Sequence, residues 1–208
     1  MSVETETKPV RRRMSAAARR ERILAAALDA FGNGGYGATS MGDVAARAGV
    51  TRAVLYDHFA SKKSLFLAVV EEQNALFLGH VGASISGAGT QRDRMRETMS
   101  AVFSFARQRP QTWSLLFGNA SNGDGEVDDV VAQLHRRRAA AVGMLLGSDF
   151  EVAGIDPHGR RAEIIVEMLI SALRGAVEWQ RVNPEAANDD LIDAGTDLLW
   201  TGLGHLSS

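Results

Sequence analysis

The sequence predicts an all-α protein, with a three-helix head joined to a larger helical body and about nine helices in total. Three observations predict this class. Apolar residues recur at the three- and four-residue spacing of amphipathic helices. No segment alternates apolar and polar residues as a half-buried strand does. Only 4 prolines interrupt 208 residues, and apolar residues make up 45% of the chain, as in a folded globular protein.

The head is predicted within residues 15–63. Its first helix begins at Ser15 and places Leu24, Leu28 and Phe31 on one face. The glycine-rich segment 32–35 is predicted to end this helix, because glycine readily adopts the left-handed conformation found at helix C-termini.

The second and third helices of the head are short. Ser40, followed three residues later by a carboxylate, is typical of a capping box at a helix start, and Gly49 is predicted to end this second helix. Thr51 is suited to cap a third helix that runs through Phe59. The preceding residues 1–14 are polar, without periodicity, and are expected to form a flexible basic arm.

The body is predicted over residues 64–208. A fourth helix follows Ser61 and gives way to a connection at 79–89, and a further connection is expected at 147–159. Five more helices are expected at about 90–109, 111–119, 126–146, 158–182 and 188–206.

Charge is distributed unevenly along the chain. Residues 1–63 contain eleven Lys and Arg against six Asp and Glu, a net charge of +5, whereas residues 64–208 carry −7. A basic segment on an acidic remainder favours contact with a polyanion. A solvated basic face gives the same pattern, so charge alone leaves both interpretations open.

Composition and motifs exclude several classes of site. The chain has no cysteine, which excludes disulfides, thiolate catalysis and cysteine-ligated metals. The histidines lack metal-site spacing, and the glycines at 32–37 follow a helix instead of the strand that a dinucleotide site requires. We therefore expect no enzyme, no cofactor and no metal.

No apolar run approaches the roughly 18 residues of a membrane span. The N-terminal residues also lack the apolar core of a secretory signal. A cytoplasmic protein without membrane contact is the expectation.

The stretch from Thr39 to Leu65 (TSMGDVAARAGVTRAVLYDHFASKKSL) is the most informative part of the chain. Two short helices joined by a tight turn at 48–50 form a helix-turn-helix arrangement, whose second helix fits the major groove of DNA. Helix N-termini also favour phosphate. Three packed helices with a polar exterior would give a similar pattern.

Residues 19–66 resemble the DNA-binding head of TetR-type transcriptional repressors. The matching positions are Thr39, Asp43-Val44-Ala45, Ala48-Gly49-Val50, Thr51, Leu55-Tyr56, His58-Phe59 and Lys62. The remaining two-thirds of the chain match this family only in length and helical character.

The resemblance implies two sets of DNA contacts. Phosphates would be contacted by Thr39, Tyr56, His58 and Lys62. Base edges would be approached by Thr51, Arg52, Ala53 and Val54. Arginine can pair with guanine and valine can touch a thymine methyl group. The family often has glycine at position 53, a small polar residue at 54 and a polar or charged residue at 42, so the operator bases cannot be transferred.

Two features outside the motif remain open. Arg11, Arg12 and Arg13 either enter a minor groove as an N-terminal arm or belong to a solvated tail. Methionine and aromatic stripes in the body are either ordinary core or, as the resemblance implies, the lining of an adaptable cavity for a mostly apolar inducer. The candidate lining residues are Met99, Phe103, Trp113, Phe117, Met144 and Met168.

The last two predicted helices, about 158–182 and 188–206, carry more apolar residues than one buried face needs. The resemblance implies that they pair two copies into a homodimer, which would bind a near-palindromic double-stranded operator. The function expected is therefore a homodimeric, ligand-released repressor.

Two alternatives stay open. One is a helical ligand-binding or enzymatic protein whose head no longer reads DNA, and the other is a DNA-binding activator without inducer. A steep fall of DNA affinity with salt distinguishes a DNA reader from the first alternative.

Overall fold

A computed structural model describes residues 14–84, 89–118 and 124–204, and within these ranges every regular element is an α-helix. The all-α class with a helix-turn-helix head is thereby confirmed. The described ranges contain ten helices. They are α1 (Ala16–Ala38), α2 (Met41–Ala48), α3 (Arg52–His58), α4 (Lys62–Ser84), α5 (Gln91–Gln108), α6 (Pro110–Phe117), α7 (Gly125–Leu145), α8 (Gly147–Val152), α9 (Arg160–Val182) and α10 (Asn188–Gly204).

The predicted starts of the three head helices are confirmed by their caps. The side-chain oxygens of Ser15, Ser40 and Thr51 each accept a hydrogen bond from the backbone N–H three residues later, at 3.2, 3.1 and 3.3 Å. Asp43 completes a capping box, because its carboxylate accepts from the backbone N–H of Ser40 at 3.1 Å. These bonds satisfy N–H groups that lack a partner within the helix.

The head packs around apolar side chains that are almost completely buried. Ile23 of α1, Val44 of α2 and Leu55 of α3 have no exposed surface, and Phe31 is 2% exposed. Phe66 of α4 meets the Phe31 ring edge-on with centroids 5.1 Å apart. Because burying each such side chain contributes about 1.5–3 kcal/mol, this interior fixes the relative positions of the four helices.

The first helix differs from its prediction at its C-terminal end. It continues through Gly32 and is kinked at Gly35, whose φ of 74° and ψ of 167° are non-helical. Tyr36, beyond the kink, is buried with its ring 4.9 Å from that of Phe66. Burial of this ring holds the extra turn against the core, which the local glycine signal alone does not reveal.

Two predicted connections in the body were also wrong in part. The connection at 79–89 is helical up to Ser84, because burial of Phe77 and Val81 offsets the helix cost of Gly79 and Gly82. Residues 85–88 lie outside the described ranges. At 147–159 the chain forms the additional short helix α8, with Phe150 only 1% exposed. Six residues are too few to show helical periodicity.

Head and body share a continuous core. Helix α4 contributes to the head interior at its start and to the body interior further along. Lys63 of α4 forms an ion pair with Glu126 of α7, and the buried hydroxyl of Thr112 donates to Gln73 at 2.8 Å. The predicted domain boundary after residue 63 therefore falls in the first turn of a helix that connects the two parts.

Candidate functional site

The helix-turn-helix is closed by a left-handed residue at its turn. Gly49 has φ 62° and ψ 37°, and its N–H donates to the carbonyl of Ala46 at 3.1 Å. The N–H of Val50 donates to the carbonyl of Ala45 at 3.0 Å. Glycine occupies this conformation without the strain that a side chain would add. The turn orients α3 so that Leu55 enters the core and the opposite face meets solvent.

The residues predicted to approach base edges lie together at the start of α3. Thr51, Arg52 and Ala53 are exposed, and Val54 is half-buried. One turn later Tyr56 is 51% exposed. An exposed helix N-terminus that carries a hydroxyl and a guanidinium can donate hydrogen bonds both to phosphates and to base edges.

Arg52 folds back over α2, and Gly42 provides the space. A side-chain carbon built on Gly42 would overlap the guanidinium, lying 2.9 Å from Nε and 3.0 Å from Cζ of Arg52. Arg52 can take this position because residue 42 has no side chain. On the same side of α2, hydrogen bonds from Ser40 lower the pKa of Asp43, with smaller contributions from Arg47 and Arg52.

Two of the predicted phosphate contacts occupy the surface near this helix. His58 is half-buried at the end of α3. Lys62, at the start of α4, places Nζ 4.3 Å from the ring centroid of Tyr36 and donates to the carbonyl of Gly37 at 3.2 Å. The ammonium group is thus held beside the corner between α1 and α2.

Thr39, predicted as a phosphate contact, directs its hydroxyl into the head. It is 6% exposed, and its hydroxyl lies 2.8 Å from the carbonyl of Gly35 and 3.1 Å from that of Ala30. The hydroxyl therefore satisfies carbonyl groups at the end of α1. The motif gives the residue type but not the direction of its side chain.

Sequence reasoning missed the arginines of α1 that face this region. The guanidinium of Arg22 lies against the turn, where a side-chain carbon on Gly49 would be 2.7 Å from its Nη2. Arg20 stacks over Phe59 at 5.4 Å from the ring centroid. The two arginines are visible in the sequence, but the sequence does not give their position relative to α3.

The body encloses a cavity of about 120 Å³ between α4, α5, α6, α7 and α9. We call it the interior cavity. Its lining is mainly apolar and aromatic, and includes Phe77, Met95, Met99, Trp113, Phe117 and Leu169. A neighbouring groove of about 460 Å³ between α5, α9 and α10 shares Met99, Leu169 and Leu173 with it.

The structure brings four of the six predicted ligand residues to these spaces. Trp113 and Phe117 line the interior cavity, Phe103 lines the groove, and Met99 lines both. Met144 and Met168 line neither, since they are 72% and 66% exposed on the outward sides of α7 and α9. Periodicity does not distinguish two apolar faces of one helix, which is why these two residues were included.

Arg138 of α7 is the lining residue that sequence reasoning missed. It is 4% exposed, and its guanidinium lies 4.3 Å from the ring centroid of Phe117. Burial lowers the pKa of Arg138 to about 10, so the group stays charged at neutral pH. Its position four residues after the buried Leu134, on the same face of α7, is the signal that would have identified it.

The final two helices leave apolar side chains in solvent. In α9, Ile164, Met168 and Trp179 are each more than half exposed, and in α10 Leu198 is 69% and Trp200 40% exposed. We call these five residues the α9–α10 face. Several large exposed apolar side chains on neighbouring parts of the chain are typical of interaction sites in soluble proteins.

Two absences hold for the part of the chain that the structure describes. None of its helices is long and apolar enough to cross a membrane. No group of three or more His, Cys, Asp or Glu side chains in it is arranged to hold a metal ion.

Comparison with known proteins agrees with this geometry. The family described as bacterial regulatory proteins, tetR family, matches residues 23–69. The transcriptional activator FasR of Mycolicibacterium smegmatis is 29% identical over 188 residues, covering 90% of this chain and 84% of FasR. The crystal structure of a TetR-like transcriptional regulator from Rhodococcus sp. RHA1 superposes with a TM-score of 0.72 at 25% identity, over 92% of this chain and 99% of that one.

A more distant structure shares the fold. FadR from Bacillus subtilis, crystallised in complex with stearoyl-CoA, superposes with a TM-score of 0.71 at 16% identity, over 86% of this chain and 96% of that one.

The fold, the turn and the exposed start of α3 define a transcriptional regulator with a helix-turn-helix DNA-binding domain. Residues 23–69 form a DNA-binding head of the tetR type, and the chain as a whole is similar to TetR-like transcriptional regulators.

Proposed function

We propose that this chain is a homodimeric repressor that binds a near-palindromic operator through α3 and is released by a small, mostly apolar ligand in the body. The observation that carries the proposal is the exposed start of α3, where Thr51, Arg52 and Ala53 face solvent. Tyr56, His58 and Lys62 would contact phosphates on either side of these base-reading residues. Thr39 is left out, because its hydroxyl is buried.

Homodimerisation through α9 and α10 is supported by the α9–α10 face. Pairing this surface with a second copy would remove its large apolar side chains from water. A two-fold axis would present two copies of α3 to successive major-groove segments, about 34–36 Å apart for adjacent half-sites. A near-palindromic operator follows from that symmetry.

Ligand binding in the body is supported by the apolar interior cavity and the adjoining groove. The FadR regulator of Bacillus subtilis, which shares the fold, was crystallised with stearoyl-CoA, so a body of this architecture holds a ligand with a long apolar chain. Met99 lies between the two spaces, and its flexible side chain suits a boundary that adapts to a ligand.

Helix α6 provides a physical connection between the cavity and the head. Trp113 and Phe117 line the cavity. On the opposite side of α6, Gln111 packs so closely on Gly32 of α1 that a side-chain carbon there would lie 2.8 Å from its Cβ. A ligand that displaces α6 would shift α1, and with it the head. Release from DNA then follows from different ligand affinities of the two arrangements.

Transcriptional activation is the second candidate, favoured by the relative FasR, which is an activator. The same DNA contacts serve both functions, since the sign depends on where the operator lies relative to the promoter. A reporter gene under the selected operator distinguishes them. Repression predicts higher expression when the chain is deleted, and activation predicts lower expression.

The test of DNA reading is selection of duplexes from a random pool by the purified full chain at moderate salt. We expect enrichment of one motif with two-fold symmetry. A folded, dimeric protein that enriches no sequence would overturn the proposal.

Two variants then separate reading contacts from positioning contacts. Arg52→Ala should change the preference at one base pair by about 1–3 kcal/mol. Lys62→Ala should weaken all duplexes similarly and reduce the slope of log affinity against log salt by about 1. The same change in both variants would contradict this division.

A further inference from the structure

We propose that the interior cavity binds a ligand with an anionic carboxylate head and an unbranched apolar tail, with the carboxylate held by Arg138. This inference rests on the proposed function, because it specifies the chemistry of the ligand in the body.

The charge balance of the cavity is the first support. Its charged lining residues are Arg94, Arg138 and Asp149. Arg94 and Asp149 form an ion pair with 3.3 Å between Nη2 and Oδ1, so their charges offset each other. Arg138 remains, and no other carboxylate among the lining residues pairs with its guanidinium; the charge of Glu167, outside the lining, acts on it without a direct contact. Buried charges in proteins are usually paired with an opposite charge.

The hydrogen bonds of Arg138 lead to neutral groups. Nη1 donates to Oδ1 of Asn74 at 3.2 Å, and Nη2 donates to the carbonyl of Leu116 at 3.1 Å and to Nδ1 of His135 at 3.3 Å. Because Nδ1 accepts, the hydrogen of the neutral ring lies on Nε2, which is 2.9 Å from the carboxylate of Glu167. Glu167 thus contacts the histidine instead of the guanidinium.

One donor of the guanidinium is unused. The Nε of Arg138 is buried and has no hydrogen-bond acceptor among the described residues. A carboxylate oxygen would supply this acceptor together with a directly contacting negative charge, and hydrogen bonds between two charged groups are stronger than neutral ones.

The other residues that line the cavity indicate the chemistry and shape of the ligand tail. Phe77, Trp113 and Phe117 form an apolar aromatic wall beside Arg138. A tail longer than the cavity would pass Met99 into the groove, since that residue borders both spaces. An unbranched chain fits this path because it can follow a narrow opening past a flexible methionine side chain.

The test is performed on the unaltered full chain with matched probes. Saturated fatty acids of six to sixteen carbons are titrated by calorimetry beside the primary alcohols of the same length. We expect the acid of the best-fitting length to bind at least about tenfold more tightly than its alcohol, as a charged hydrogen bond predicts. Equal affinity of acid and alcohol, or no binding of either, overturns the inference.

The acyl-CoA thioester of the same length separates two sources of negative charge. Its acyl head is neutral, and its phosphates lie far from the end of the acyl chain. If only the thioester binds, the carboxylate contact is overturned while the proposed ligand-responsive function stands. Failure of the proposed function itself is detected independently by the duplex selection.

Three variants test whether Arg138 is the residue that binds the carboxylate of the ligand. Arg138→Gln should remove the preference for acid over alcohol and leave alcohol affinity within about threefold, because it removes the charge and the guanidinium donors but leaves the apolar wall in place. Arg138→Lys should retain part of the preference. Arg137→Gln, at the exposed neighbouring position, is the control and should change nothing. If Arg138→Gln does not fold, the acid and alcohol comparison on the unaltered chain decides.

Discussion

The head and the last two helices differ in how completely the chain buries its own apolar residues. In the head, Ile23, Phe31 and Leu55 are at most 2% exposed. In α9, Ile164 and Met168 are more than half exposed. The head therefore buries its apolar residues within one chain, whereas α9 and α10 leave large apolar side chains in solvent. The proposed DNA contacts therefore lie on the surface of the head, whereas the proposed ligand site lies in the interior of the body.

The head and the body also differ in how far apart along the chain their polar partners lie. In the head, Ser40 and Asp43 satisfy each other across three residues. In the body, Arg94 reaches Asp149 and Arg138 reaches Asn74 across 55 and 64 residues. Local pairs form whenever the helix forms. Long-range pairs exist only after the body has folded, so their geometry depends on the whole arrangement.

The largest effect is expected from Phe31→Ala. Because the ring is buried against Phe66, its loss should lower the free energy of unfolding by about 3–5 kcal/mol. Val152→Ala, at a residue 77% exposed on α8, should change it by less than about 0.5 kcal/mol. Urea unfolding at fixed protein concentration measures both. A loss below about 1 kcal/mol for Phe31→Ala would mean that the head core is not the source of its rigidity.

The second prediction concerns the α9–α10 face. Replacing Met168 and Trp179 together by glutamate should raise the dimer dissociation constant at least about 100-fold, because charges would be buried at the centre of the interface. Val152→Glu, at an exposed apolar residue outside this face, is the matched control. Analytical ultracentrifugation should show monomers for the double variant only. Dimers in all three proteins, or a monomeric unaltered chain, would refute the pairing.

The head could be predicted from the sequence because its signals are local. Ser15, Ser40 and Thr51 mark helix starts through bonds to N–H groups three residues away, and all three are confirmed. The resemblance predicted Thr39 as a phosphate contact, but it did not give the direction of the side chain, whose hydroxyl donates to the carbonyls of Gly35 and Ala30.

The body was less predictable because its features depend on contacts between distant segments. Helix α8 has only six residues, and its order comes from burial of Phe150 against Ile155 and Val166. The interior cavity requires five helices to meet. Apolar periodicity therefore identified Trp113 and Phe117 but also admitted Met144, whose side chain faces solvent.

Loss of a helix cap should have a smaller effect on stability, and the effect should be equal in the head and in the body. Ser40→Ala in the head and Thr90→Ala in the body each remove a capping-box hydroxyl, and each should cost about 1 kcal/mol of unfolding free energy. Equal costs in the two regions would show that capping is local. A difference larger than about 1 kcal/mol would show that the surrounding fold contributes. Thermal and urea unfolding of the two variants measures this.

The capping box also predicts a pH dependence. Hydrogen bonds from Ser40 lower the pKa of Asp43 in the folded chain. A carboxylate with a lowered folded pKa stabilises above its unfolded pKa of about 4, and the contribution is lost as pH falls through the folded value. The difference between Ser40→Ala and the unaltered chain should therefore shrink below about pH 4. A constant difference down to pH 2 would contradict the carboxylate's role.

The smallest effect is expected from Gly42→Ala, and it tests whether the head controls base reading through packing on α2. Alanine favours helix by about 0.5–1 kcal/mol over glycine, so stability should not fall. The added carbon overlaps the Arg52 guanidinium. The guanidinium must therefore move, and it can do so because it is the end of a flexible side chain. Duplex selection should show a change of a few-fold, on the order of 1 kcal/mol, at the base pair that Arg52→Ala identifies.

Gly79→Ala is the matched control, since it adds the same carbon to α4 with no atom within 4 Å. It should give the same gain in helix stability without any change in base preference. If Gly42→Ala leaves the preference unchanged, Arg52 reads DNA from a position that does not depend on α2. If both variants alter it, the effect passes through the stability of the head. A change in Gly42→Ala alone would support the proposal that Arg52 reads a base and would show that the space left by Gly42 determines where its guanidinium lies.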